Sequence, residues 1–240
     1  MTINWKRVFI AVILLIVVML VIAWLGLQWY RGESNSNVAI GQYLSNPQGN
    51  THLETSALTR CPDVPFIIPS DGFIGLLWRD SAGPYTTLHR HTDIDIFAGQ
   101  AEGTSPIFAV YDGWLTRLDD WQSTVIIRHN DPLQEGRTIW TYYTHMASRN
   151  GNESFIVPDF PQGTYDEPIT QGTVIGYQGA YSPQFPVATH LHFSIVTTNS
   201  DGSFQNEAVL ENTLNPSPYF GIDLNADTNL DRPVQCFEAN

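Results

Sequence analysis

"HRHTDID" (residues 89–95) and "THLHF" (residues 189–193) set four histidines and two aspartates into two short words almost a hundred residues apart. In a β-strand the side chains at i, i+2 and i+4 share a face. Read that way, His91, Asp93 and Asp95 point to one side while Ile94 and Ile96 point to the other. His190, His192 and Ser194 likewise share a face, with Leu191, Phe193 and Ile195 opposite. A third word, "TYYTHMA" (141–147), puts Tyr143 and His145 on one side. Three strands therefore present imidazole or carboxylate groups opposite an apolar surface.

The same alternation runs outward from these words. From Cys61 onward, short apolar runs alternate with Gly, Pro, Asn and Asp, and no stretch holds a 3.6-residue stripe for three turns, which is an all-β pattern. Strands are expected at 72–78, 93–98, 106–119 with a break at Asp112-Gly113, 123–129, 137–146, 173–179 and 190–196. The polar segment 147–168 reads as a long loop, of the length usually reserved for function or mobility, and is expected to line a groove.

The first thirty residues differ in kind. "VFIAVILLIVVMLVIAWLGL" (8–27) carries no charge and is long enough to cross a bilayer as a helix. It outruns the apolar region of a signal peptide and continues into bulky residues instead of a small-residue cleavage site, so it reads as an uncleaved anchor. Lys6 and Arg7 precede it and Arg31 follows, which places the amino terminus in the cytoplasm and the remainder outside. The expected organisation is a cytoplasmic tail (1–7), a transmembrane anchor (8–27), an extracytoplasmic linker rich in Ser, Asn and Gly (28–60), and one folded domain (61–240).

All 24 acidic residues lie beyond the anchor, and Lys6, Arg7 and Arg31 are three of the 11 basic ones, so the remainder carries a net charge of about −16. That balance argues against nucleic acid or an anionic surface as the main partner. Cys61 and Cys236 stand at the two edges of the expected domain. Exported, they would close a disulfide; two free buried thiols are the alternative.

Neutral imidazole nitrogen and carboxylate oxygen suit a first-row divalent ion such as zinc, and three protein ligands with one open position make a catalytic site. No cysteine occurs in any of these words, which excludes a four-thiolate site, and no H-E-x-x-H helix supplies a glutamate base.

Taken in order, the words resemble something more specific. His91 and Asp95 form H-x-x-x-D, "AVYDG" (109–113) gives A-x-x-D-G, "YTHM" (143–146) gives Y-x-H-M, "GTVIGYQG" (172–179) gives G-x-x-I-G-x-x-G, and "HLHF" (190–193) completes the set. Over about residues 70–220 the chain resembles the lysostaphin-like, or LytM-type, zinc metallopeptidases. The resemblance implies an antiparallel β-sheet or sandwich catalytic domain, zinc held by His91, Asp95 and His192, and catalytic His145 and His190 beside the attacking water. It also implies a membrane-anchored endopeptidase acting outside the cell on peptidoglycan peptides. The alternatives are an idle module of the same fold that regulates another wall enzyme, or a zinc peptidase acting on exported proteins.

Three positions depart from the family pattern. Asp93 stands where the family usually has glycine, Ser194 replaces a frequent glutamate, and the customary glycine before H-L-H-F is missing. None of these is expected to be a ligand. His89 reads as solvated or facing substrate, His129 as structural and His52 as solvated in the linker, while Asn46, Asn50 and His52 are weaker candidates for an extra metal contact. Arg90 and Arg128 read as surface ion pairs. Asp223, Asn225, Asp227 and Asp231 have calcium-loop-like spacing without the glycine and final glutamate of such loops, and read as an acidic turn.

Overall fold

In the computed structural model, which describes residues 5–31, 35–184 and 186–237, the alternation becomes nine strands. They are β1 (Phe73–Leu76), β2 (Ile94–Phe97), β3 (Pro106–Phe108), β4 (Gly113–Thr116), β5 (Val125–Asn130), β6 (Thr138–Thr144), β7 (Glu167–Ile169), β8 (Val174–Tyr177) and β9 (Leu191–Val196). Seven make one antiparallel sheet in the order β1-β2-β9-β6-β5-β4-β7, and β3 pairs with β8. The fold is antiparallel β-sheet following one apolar helix, α1 (Trp5–Arg31). Within α1, Val8–Trp29 is long and apolar enough to cross a membrane, and none of it is buried in the rest of the protein.

Every expected strand is present in part, and the run at 106–119 does break before Gly113, its halves joining different sheets. β7 arises inside the segment expected to be loop. Its Pro168 carries no amide hydrogen, which an outermost strand tolerates.

One face of the large sheet is core. Ile94, Ile96, Val125, Ile127, Tyr143, Leu191, Phe193 and Ile195 pack there with Phe66, Ile107, Ile175 and Phe220. The other face is covered at two places. Helix α2 (Ser36–Ser45) lies over the β1–β2 edge and brings Tyr43 against Phe73 and Phe97. Farther along, Phe204 packs on Trp140 and Tyr142. Between these covers lie Asp95 and His192, charged groups that a dry apolar cover would leave costly to bury.

Helix α2 corrects the expectation of a plain linker over 28–60. Tyr43 is fully buried and its hydroxyl donates to Glu54 Oε1 at 2.8 Å. Ala39, Ile40, Tyr43 and Leu44 form a helical stripe only two turns long, and the surrounding Ser, Asn and Gly obscure it in the sequence.

Cys61 and Cys236 are disulfide-bonded, their Cα atoms 5.7 Å apart across a sequence separation of 175. Closing so long a loop stabilises the fold by about 4–5 kcal/mol in the chain-entropy model. The double variant Cys61→Ser, Cys236→Ser is therefore expected to lose on the order of 4 kcal/mol, read from urea unfolding of the full chain in detergent. An unchanged unfolding midpoint would contradict this.

Candidate metal centre

The centre is built by strand register. Asp95 of β2 lies opposite His192 of β9, and Thr144 at the end of β6 lies opposite His192 from the other side. His91 precedes β2 and is pinned by its backbone, its N–H donating to Asp80 O at 2.9 Å and its carbonyl accepting from Arg79 N at 2.7 Å. The donor atoms of His91, Asp93, Asp95 and His192 all lie within 4.8 Å of one another, and so do those of His145, His190 and His192.

Three of these imidazoles are aimed in the same way. A carbonyl can only accept, so the Nδ1–H of His91 donates to Leu77 O (3.0 Å), that of His145 to Tyr181 O (2.6 Å) and that of His190 to Ala188 O (2.7 Å). With Nδ1 committed, Nε2 is the ring nitrogen left to serve the site, and His145 and His190 present it to the cleft. His192 is oriented differently, with Nδ1 2.9 Å from Asp95 Oδ1 and Nε2 against Asp93 Oδ2. Asp95 Oδ1 is also 3.4 Å from His91 Nε2 and 3.6 Å from His190 Nε2.

Burial and charge oppose each other here. Burial acts to lower the His91 pKa, but Asp93 and Asp95 outweigh it and raise it to about 10. His192 is also raised, well above the usual histidine range, by the same two carboxylates against burial. Burial would raise Asp93 and Asp95, yet the histidines around them hold both below the ordinary carboxylate range. His145 and His190 go the other way. Burial first, then repulsion from His190 and His192, pushes His145 down to about 3, and burial lowers His190. These two rings are thus neutral at neutral pH.

Zinc fits the donors present: two imidazoles with carboxylate oxygen and no thiolate. A local observation agrees. His91 Nε2 and Asp93 Oδ1 are buried and lie in contact, yet neither makes a hydrogen bond.

His145 holds φ = 70°, a left-handed conformation uncommon outside glycine and asparagine and often found where function over-determines the backbone. The kink breaks the expected alternation. Tyr143 does not share the site with His145; it is buried in the core, its hydroxyl accepting from Val110 N at 3.0 Å and Thr141 Oγ1 at 3.3 Å. The left-handed residue then turns the His145 ring toward His190 and His192, with ring centroids 4.4 and 5.4 Å away, before Met146 re-enters the core. Gly179 permits this packing. A Cβ there would lie 2.2 Å from Ala147 O and 2.4 Å from His145 O.

The histidines open onto a cleft of about 740 Å³. Its lining includes Pro84, Tyr85, Arg90, Tyr181, Val187 and Ile40 of α2. The segment 147–168 does not line it, contrary to expectation. It folds away from the site because Ile156 and Phe160 insert into the core and its last residues form β7 at the far sheet edge.

Glu207 was not singled out by the sequence. It lines the cleft from the irregular segment after β9 and accepts from Ser194 Oγ at 3.1 Å, so a carboxylate reaches the position where Ser194 replaces glutamate. Burial raises its pKa to about 7. No local motif marks it.

The remaining candidates separate cleanly. His89 is exposed at the cleft mouth, stacked on Tyr85 at 5.9 Å, and is in neither cluster. His129 is fully buried, bonded to Asp112 O and Thr141 Oγ1 at 2.8 Å each, and is structural. Asn46, Asn50 and His52 do not line the cleft; both asparagines are used in local turns. Arg128 pairs with Asp166, and Arg90 lies 3.6 Å from Asp227. In the acidic turn Asp223 Oδ1 accepts from Thr228 Oγ1 and Asn225 Oδ1 from Asp227 N, while Asp227 pairs with Arg79.

No protein-family model matches the chain, and no curated protein does. Among solved structures it is similar to the catalytic domain of the antimicrobial peptidase lysostaphin from Staphylococcus simulans, at 18% identity over 62% of this chain and 90% of that one, with a TM-score of 0.37. A catalytic-domain mutant of the prophage-encoded M23 protein EnpA from Enterococcus faecalis is 19% identical over 65% of this chain and 89% of that one (TM-score 0.33). A zinc-containing peptidase from Vibrio cholerae is 19% identical over 45% of this chain and 27% of that one (TM-score 0.30). The chain spans 43% of the longer lysostaphin structure it matches.

Proposed function

We propose that this chain is a membrane-anchored zinc endopeptidase of the lysostaphin-like type that hydrolyses peptide bonds of cell-wall peptidoglycan outside the cell. The observation that carries the reading is the convergence of His91, Asp95 and His192, from words a hundred residues apart, beside His145 and His190 in one cleft. Helix α1 and the Cys61–Cys236 disulfide support an exported, tethered domain.

His91, Asp95 and His192 would hold the ion. Bound zinc supplies Lewis acidity, polarising a carbonyl and acidifying water. The chain's own residues do the rest. His145 and His190, neutral and with Nδ1 already donating, each have one free nitrogen, Nε2, with which to accept a proton from the attacking water. Once protonated, the same nitrogen donates to the developing oxyanion or to the departing amine. The cleft, of about 740 Å³, offers room for a segment of extended peptide beside these histidines.

One observation favours a second reading, an idle site of the same fold. Asp93 contacts both His91 and His192, and the family pattern has glycine there. The two are separated by measuring zinc by mass spectrometry on the full chain in detergent and following turbidity of isolated wall sacculi. The enzyme reading expects one zinc per chain and clearing that a chelator stops and added zinc restores. Zinc without cleavage on several wall chemistries would reject it in favour of the idle module or of a protein substrate.

A further inference from the structure

We propose that Asp93 is a fourth protein ligand of the metal centre, joining His91, Asp95 and His192. This rests on the metal-centre reading above and goes beyond the three-ligand set of the family pattern; for hydrolysis the water then enters as a fifth donor, an expansion that zinc allows.

Asp93 is 1% exposed and shares the strand face of His91 and Asp95. Its two carboxylate oxygens have different surroundings. Oδ2 is occupied: Thr92 Oγ1 donates to it at 2.9 Å and His192 Nε2 lies against it. Oδ1 is buried, faces His91 Nε2 and has no hydrogen-bond partner.

The partner atom decides what Oδ1 is for. His91 Nδ1 donates to Leu77 O, so Nε2 is the ring nitrogen that faces Asp93 Oδ1 and the one free to serve an ion. A buried imidazole nitrogen and carboxylate oxygen in contact are the pair of donors a cation takes up, and both belong to a set of four residues whose donor atoms lie within 4.8 Å of one another, a spacing that one metal ion can span. Two carboxylates also balance the charge of one divalent ion, where Asp95 alone would leave an uncompensated charge in the buried site.

Oδ2 has a second use. Its contact with His192 Nε2, together with the Nδ1 contact to Asp95 Oδ1, holds that ring in a fixed orientation. Asp93 thus binds with one oxygen and orients a neighbouring ligand with the other.

The test uses the full chain in detergent. Zinc affinity is measured by competition with a chromophoric chelator, and donor number by the d–d absorption of the cobalt(II)-loaded protein, for wild type, Asp93→Asn and Asp93→Gly. Asparagine keeps an oxygen that can accept from His192 but loses the anionic donor. Both variants are expected to bind zinc about 10–100-fold more weakly, with a shifted cobalt spectrum. A crystal structure of zinc-loaded wild type, which needs no variant to fold, is expected to show Asp93 Oδ1 at about 2.0–2.2 Å from the ion. Variants indistinguishable from wild type in affinity and spectrum, or Asp93 Oδ1 beyond bonding distance, would overturn the assignment while leaving the three-ligand centre intact. Wild type that binds no zinc would overturn the centre itself and Asp93 with it.

Discussion

His145→Ala is expected to slow peptide-bond hydrolysis by about 10²–10⁴-fold, the range for loss of a positioned general acid–base group, while one zinc remains bound. Both halves matter, because the protein gathers its histidines into two overlapping clusters. His192 belongs to each, and a three-histidine centre of His145, His190 and His192 is a geometric rival to the His91, Asp93, Asp95 and His192 set. If the ion used the three-histidine set, removing His145 would remove zinc along with activity. The two sets differ in charge: among the described residues the nearest carboxylate to His145 or His190 is Asp95, 3.6 Å from His190 Nε2, whereas His91 and His192 both contact Asp93. Zinc content and hydrolysis rate, measured on one preparation, decide between them; loss of zinc in His145→Ala would reassign the ligands.

His91→Ala is expected to produce the complementary result, with zinc affinity falling by about 100-fold or more, since even loss of a residue that merely supports a ligand costs 10–100-fold. Hydrolysis should fall with it. A second effect is predicted for the metal-free protein. Asp93 and Asp95 are buried against His91, and removing one partner of a buried ion pair costs about 3–5 kcal/mol. Metal-free His91→Ala should therefore unfold at a lower temperature than metal-free wild type, by scanning calorimetry on the full chain in detergent. Equal unfolding temperatures would mean that His91 is not an ionic partner of these carboxylates.

Period-two alternation around Asp95 and His192 was enough to give the strands and their buried side, because a strand's side-chain period is independent of what lies next to it. The five residues that the family resemblance implied, His91, Asp95, His145, His190 and His192, fall in two clusters that share His192. The disulfide was legible for a similar reason: two cysteines bracketing a domain expected to be exported have few other partners.

Alternation failed where tertiary contacts override the local rule. It paired Tyr143 with His145, but the left-handed residue at 145 separates them, sending one ring to the core and the other to the site. It also left residues 36–45 as linker, because a two-turn helix is stabilised by the sheet edge it covers more than by its own sequence. Glu207 was invisible for a third reason: a residue in irregular chain has no period, and tertiary contacts, among them Phe204 on Trp140 and Tyr142 and the Tyr142 hydroxyl on Gln205 O, hold that segment beside Ser194. By itself, then, the sequence determined which side chains face one surface of a β-sheet. The tertiary structure alone decided which of their atoms meet, which imidazole nitrogen each backbone carbonyl leaves free, and that Asp93 lies between two histidines, since these depend on distances between strands that no local pattern encodes.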